Sequence, residues 1–142
     1  MKRILVALDG SDRSSLVLAA ACQLAQLSNS KLTLFRAITV PADLPRDVLA
    51  VTDRRLEDVL RRNAHTDLSH LARAIPAGIE HDIATELATP WDGICRAGRL
   101  HDADLIVIGS QGYGGLDRLL GTTAAKVVNH ADRNVLVVRA RL

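Results

Sequence analysis

Three short runs of uninterrupted apolar residues constrain this chain more than any other feature. They are Ile4-Leu5-Val6-Ala7-Leu8, Leu105-Ile106-Val107-Ile108 and Val135-Leu136-Val137-Val138. A strand with one wet face alternates apolar and polar residues, whereas a strand covered on both faces does not alternate. Runs this short fall far below the roughly 20 residues a membrane helix needs. They predict buried strands of a parallel sheet.

Between the runs the pattern changes to that of helices. After Asp9-Gly10-Ser11, residues Leu16, Ala20, Leu24 and Leu27 fall on one helical stripe, with Asp12 or Ser11 as cap and Ser28-Asn29-Ser30 as the stop. Leu32 to Ile38 reads as a second strand, and Pro41 and Pro45 mark an irregular connection. Arg46 to Ile75 is helical in pattern and closes on Pro76-Ala77-Gly78. Ile79 to Leu87 alternates and is more polar, as suits an edge strand. Thr89-Pro90 opens a helix carrying Ile94, Cys95 and Leu100 and ending near His101, and a last helix runs from about Thr122 to His130. Strands alternating with helices predict right-handed βαβ units around a parallel sheet, as one domain over residues 1–142. Such sheets bind ligands beyond the carboxyl ends of their strands, where the strand order reverses.

Composition narrows the function. A formal net charge of +2 is too small to call for nucleic acid or another polyanion. One Trp, one Tyr and one Phe leave no aromatic platform for stacking bases. Arg54, Arg55, Arg61 and Arg62 alternate with Asp53, Glu57 and Asp58, which reads as a solvated helix face. Cys22 and Cys95 lack metal-ligand spacing and read as buried free thiols. Met-Lys-Arg followed by five apolar residues is too short for a signal-peptide core, so a soluble cytoplasmic protein with no membrane association is expected. The histidines (His65, His70, His81, His101 and His130) are scattered and suggest neither a catalytic triad nor a metal site.

The chemistry concentrates after the fourth strand, in a glycine-rich segment from Gly109 to Thr123. Gly109 and Gly112 let backbone approach a ligand closely, and exposed N–H groups in such a turn can form an anion-binding concavity. Gly121-Thr122-Thr123 opens a helix whose first-turn N–H groups and dipole favour phosphate. No Gly-Lys-[Ser/Thr] follows, so this is not a Walker A loop. It does not follow the first strand, so it is not a Rossmann fingerprint either. Asp9 has two readings: an acceptor for ribose hydroxyls or an adenine amino group, or a brace for its own turn.

These segments together resemble the universal stress protein family along essentially the whole chain. The resemblance is carried by Ile4 to Ser11, by Ala103-Asp104-Leu105-Ile106-Val107-Ile108-Gly109-Ser110, by Leu119-Leu120-Gly121-Thr122 and by His130 to Arg139. It implies an α/β fold with a five-stranded parallel sheet of order 3-2-1-4-5 and helices on both faces, a Rossmann-like layout. It implies an ATP-binding stress-response sensor or regulator that pairs as a homodimer through Val135 to Arg139. The family's nucleotide-binding branch carries Gly-x2-Gly-x9-Gly-[Ser/Thr]. Gly109, Gly112, Gly121 and Thr122 match it with eight residues in place of nine, and Gln111 stands where His or Arg is frequent. By position, Ala7, Leu8 and Asp9 would line the adenosine pocket and Ala37 would meet adenine through its backbone. Ile108 and Gly109 would underlie the ribose and first phosphate. Gln111, Gly112, Gly121, Thr122 and Thr123 would cradle the phosphates. The implied ligand is ATP, with or without Mg²⁺; ADP, AMP or cyclic AMP fits the same logic. A weak ATP hydrolase and a nucleotide-independent dimeric partner-binding module are the alternatives.

Overall fold

The computed structural model describes residues 1–39, 46–110 and 120–140. Within them run β1 (Arg3–Ala7), α1 (Ser14–Ser28), β2 (Lys31–Ile38), α2 (Arg46–Ala72), β3 (His81–Leu87), α3 (Pro90–Leu100), β4 (Leu105–Gly109), α4 (Thr122–His130) and β5 (Asn134–Val138). The strands form one sheet in the order β3-β2-β1-β4-β5, and every neighbouring pair is parallel. This is the expected 3-2-1-4-5 arrangement, with the polar, alternating β3 at an edge.

The unbroken apolar runs are explained by two hydrophobic layers. Alternate residues of a strand point to opposite faces. Ile4, Val6 and Leu8 join Val17, Leu18, Ala21 and Leu68 beneath α1 and α2. Leu5 and Ala7 join Phe35, Ile106, Ile94 and Val127 beneath α3 and α4. Every residue from Ile4 to Leu8 is buried because each face of β1 has its own core. Both Cys22 and Cys95 are buried free thiols, and burial pushes each thiol's pKa upward.

Of the expected α1 stripe only Leu24 packs against the core beneath α1 and α2, and the rest is not the face that docks. Leu16 is 44% exposed and Leu27 81% exposed, while the buried face is Ser14, Val17, Leu18, Ala21, Cys22 and Ala25. The helix is apolar on most sides, so more than one stripe satisfies the period. Leu100 is likewise 79% exposed at the end of α3. The expected cap also differs. Arg13 occupies the N-cap position without a side-chain bond, while the Ser11 carbonyl accepts from Ser14 N–H at 3.0 Å. Asn29 ends α1 in the left-handed region at φ 54°.

At the amino end of the sheet, Asp104 Oδ2 accepts from Lys2 N–H at 2.7 Å and Arg3 N–H at 2.9 Å. These two backbone donors hold the Asp104 carboxyl below the usual carboxylate range. The same residue donates its N–H to the Arg3 carbonyl at 2.8 Å, so β1 and the α3–β4 connection are pinned together.

Candidate functional site

The topology decides where a site can form. The chain leaves β1 through α1 toward β2, and leaves β4 through α4 toward β5, so the order reverses between β1 and β4. Helices α1 and α4 lie on opposite faces, and a crevice opens between their first turns beyond the carboxyl ends of β1 and β4. The register pairs Ala7 with Phe35 on one side and with Ile108 on the other, which makes these three one row of the floor.

A cavity of about 580 Å³ occupies this crevice. That is within the usual range for small-molecule sites, about 300–1,000 Å³. Ala7, Leu8, Asp9, Ala37, Ile108, Gly109, Gly121, Thr122 and Thr123 all line it. These are every candidate named from the sequence except Gln111 and Gly112, which lie outside the described residues. Residues far apart in the chain, from Ala7 to Thr123, thus face one space.

Several local devices hold the walls. Asp9 Oδ1 accepts from Ser11 N–H at 2.9 Å and from the Ser14 hydroxyl at 3.5 Å. The bracing role of Asp9 is therefore present. Among the described residues no hydrogen bond engages its Oδ2, so one oxygen can still meet a ligand hydroxyl. Gly10 completes the turn at φ +82°, a region glycine enters without cost. Gly109 is a point of close approach: a Cβ there would stand 3.2 Å from Val17 Cγ2, so its lack of a side chain lets α1 close over the end of β4.

On the other side, Ser110 ties the strand to the helix. Its N–H donates to the Val138 carbonyl at 2.9 Å, and its carbonyl accepts from Gly121 N–H at 2.8 Å. Gly121 therefore spends its amide on structure, and any phosphate contact falls to the next residues. Gly121 is the N-cap of α4, with no side-chain cap and no acidic residue in the first turn. The first-turn amides of Thr122, Thr123 and Ala124 have no partner within their own helix, and the helix dipole adds positive potential there.

Sequence reasoning missed part of the wall. Ser11, Arg13, Ser14 and Val17 from the α1 side line the cavity, as do Phe35, Arg36 and Thr39 from β2 and its end. Pro90 and Ile94 of α3 and Leu120 and Ala124 beside α4 complete it. The α1 residues had a signal in their closeness to the Asp9 turn. The apolar ones had none, because nothing in their chemistry separates a cavity wall from a core. Among the described residues no group of three or more His, Cys, Asp or Glu side chains could hold a metal ion. No described helix is long and apolar enough to cross a membrane.

The chain and its architecture have clear relatives. The model of the universal stress protein family matches residues 1–139. Universal stress protein A homolog 1 of Coxiella burnetii is 29% identical, over 96% of this chain and 95% of its own length. The universal stress protein in the QAH/OAS sulfhydrylase 3′ region of Thermus aquaticus is 32% identical, over 97% and 98% respectively. Among solved structures, universal stress protein UspA from Lactobacillus plantarum superposes with a TM-score of 0.82 at 25% identity, covering 97% of each chain. With the family's model spanning nearly its entire length and its sheet in the family's order, this chain belongs to the universal stress protein family.

Proposed function

We propose that the crevice between β1 and β4 binds an adenine nucleotide, ATP first among them. In this reading the protein is a stress-response sensor or regulator that works through nucleotide binding and dimerisation. The observation that carries the reading is convergence: strand-end residues, a carboxylate and a phosphate-friendly helix start, scattered through the sequence, share one cavity of about 580 Å³. Its parts suit the parts of a nucleotide. Phe35, Ala37, Pro90 and Ile94 offer an apolar slot for a base, Asp9 an acceptor for sugar hydroxyls, and the first turn of α4 an anion site. Family members of similar fold have been solved with cAMP and, from Archaeoglobus fulgidus, with dAMP.

Magnesium fits this site only as the nucleotide's companion. Asp9 is the one carboxylate among the described lining residues, with the hydroxyls of Thr122 and Thr123 across the cavity. Mg²⁺ commonly keeps most of its ligands as waters and substrate phosphates, with one or two carboxylates from protein. The residues present match that arrangement, in which the metal would arrive on the phosphates.

Calorimetry with ATP and Mg²⁺ tests the reading directly, and saturable binding at millimolar ligand or below is expected. The absence of heat and of any change in the emission of Trp91, whose ring lies tilted against that of His130 at the end of α4 with centroids 4.8 Å apart, would remove it. Denaturing the purified protein and identifying any released small molecule by mass spectrometry tells which adenine nucleotide the site retains.

Dimerisation belongs to β5. It is the sheet edge opposite β3, it is mostly apolar, and Leu136 on it is 38% exposed. An exposed edge strand of this kind offers unpaired backbone groups and apolar side chains to another copy.

A further inference from the structure

Binding a polyphosphate needs compensating charge as well as amides, and the cavity has few places to find it. Among the described lining residues only Arg13 and Arg36 are cationic. Arg36 is already committed. Its Nε donates to the Leu8 carbonyl at 3.1 Å, its Nη1 pairs with Asp67 at 3.2 Å, and its side chain is only 12% exposed. Its Nη2 is buried without a hydrogen-bond partner among the described residues, close to Gly10. Arg13 is the opposite case. It is exposed at the N-cap of α1, and its hydrogen bonds among the described residues are all made by its backbone: the N–H donates to Ser11 Oγ at 3.3 Å, and the carbonyl accepts from Leu16 and Val17 N–H at 3.0 and 3.1 Å. Its guanidinium enters no ion pair among the described residues, and the first turn of α1 contains no acidic side chain to claim it.

The position is as telling as the freedom. Arg13 lines the cavity from the α1 side, and Thr122 and Thr123 line it from the α4 side. The carboxylate of Asp9 suits hydroxyl donors and repels phosphate, so among the described lining residues the anionic end of a ligand is left to the α4 amides and to Arg13. A guanidinium meets phosphate oxygens in a fork of charge-assisted hydrogen bonds. We infer that Arg13 reads the length of the phosphate chain, favouring a nucleoside di- or triphosphate over the monophosphate. This rests on the nucleotide reading of the cavity and adds to it a specificity-determining residue.

The test compares AMP, ADP and ATP on the full chain by calorimetry, with wild type, Arg13→Gln and Arg13→Lys, at two salt concentrations. Wild type should bind ATP more tightly than AMP. Arg13→Gln should lose about five- to tenfold in ATP affinity while AMP stays within about twofold, and Arg13→Lys should recover part of the loss. The salt dependence of ATP binding should also weaken in Arg13→Gln, because a screened charge has been removed. An equal loss for AMP and ATP, or no loss for ATP, overturns the role of Arg13 while leaving the nucleotide site standing. Failure of all three nucleotides to bind wild type overturns both. Arg13 is exposed at a helix start, so an unchanged urea midpoint in the variants confirms that folding is not what the comparison measures.

Discussion

At the scale of single residues, the turn from Asp9 to Ser11 is the most constrained point of the site. Gly10 sits at φ +82°, and a Cβ there would meet the Arg36 guanidinium at 3.3 Å. That guanidinium cannot withdraw freely, because Leu8 and Asp67 hold it. Gly10→Ala should therefore destabilise the fold by about 1–2 kcal/mol from the left-handed backbone alone. It should also weaken nucleotide binding by displacing Asp9. Urea unfolding and calorimetry on the same variant check the two effects. Asp104, at the other end of β1, makes a pH prediction. Its folded pKa is depressed by the N–H groups of Lys2 and Arg3, so its stabilisation is present above the unfolded value of about 3.9 and is lost as pH falls through the lower folded value. The gap in urea midpoint between wild type and Asp104→Asn should be full at pH 6 and should close as pH drops below about 4. A gap that persists unchanged at pH 2 would assign the effect to packing instead.

At the scale of elements, legibility followed chemistry. The strands β1, β4 and β5 could be read because an unbroken apolar run of four or five residues has few other uses, and α4 because glycine and threonine mark its start. The docking face of α1 could not be read. Leu16, Ala20, Leu24 and Leu27 obey the helical period as well as Val17, Leu18, Ala21 and Ala25 do, and only the sheet's position chooses between them. The same holds for the site. Asp9, Gly109 and the α4 start announce themselves by residue type, whereas Val17, Pro90 and Ile94 become walls only through the crossovers that bring them together. Element β5 carries a prediction of its own. Leu136→Arg places a charge on the strand proposed to pair with a second copy. Light scattering should show a dimer for wild type and a monomer for the variant, with an unchanged circular dichroism spectrum. A monomeric wild type would remove β5 as an interface.

At the scale of the whole molecule, the cavity's makeup has thermodynamic weight. Its lining runs from Ala7 to Ala124 and draws on the ends of β1, β2 and β4 and on the first turns of α1, α3 and α4. No short stretch of the unfolded chain can reproduce it, so a ligand of this cavity binds the native state alone. Stability should then rise with free ligand as RT ln(1 + [L]/Kd), by about 2.7 kcal/mol at a hundredfold excess over Kd. Thermal unfolding across a titration of ATP should show a midpoint climbing with the logarithm of concentration and no plateau, and a flat profile would contradict nucleotide binding.

The same assembly turns occupancy into lifetime. Proteases act on the opened chain, and its population falls as the ligand holds the native state closed. Because the crevice is stitched from both halves of the sequence, an occupied protein would be protected along its length rather than only at the loop that touches the phosphates. Limited proteolysis with and without ATP should therefore slow at distant cut sites together, making the abundance of this chain a record of how much nucleotide surrounds it.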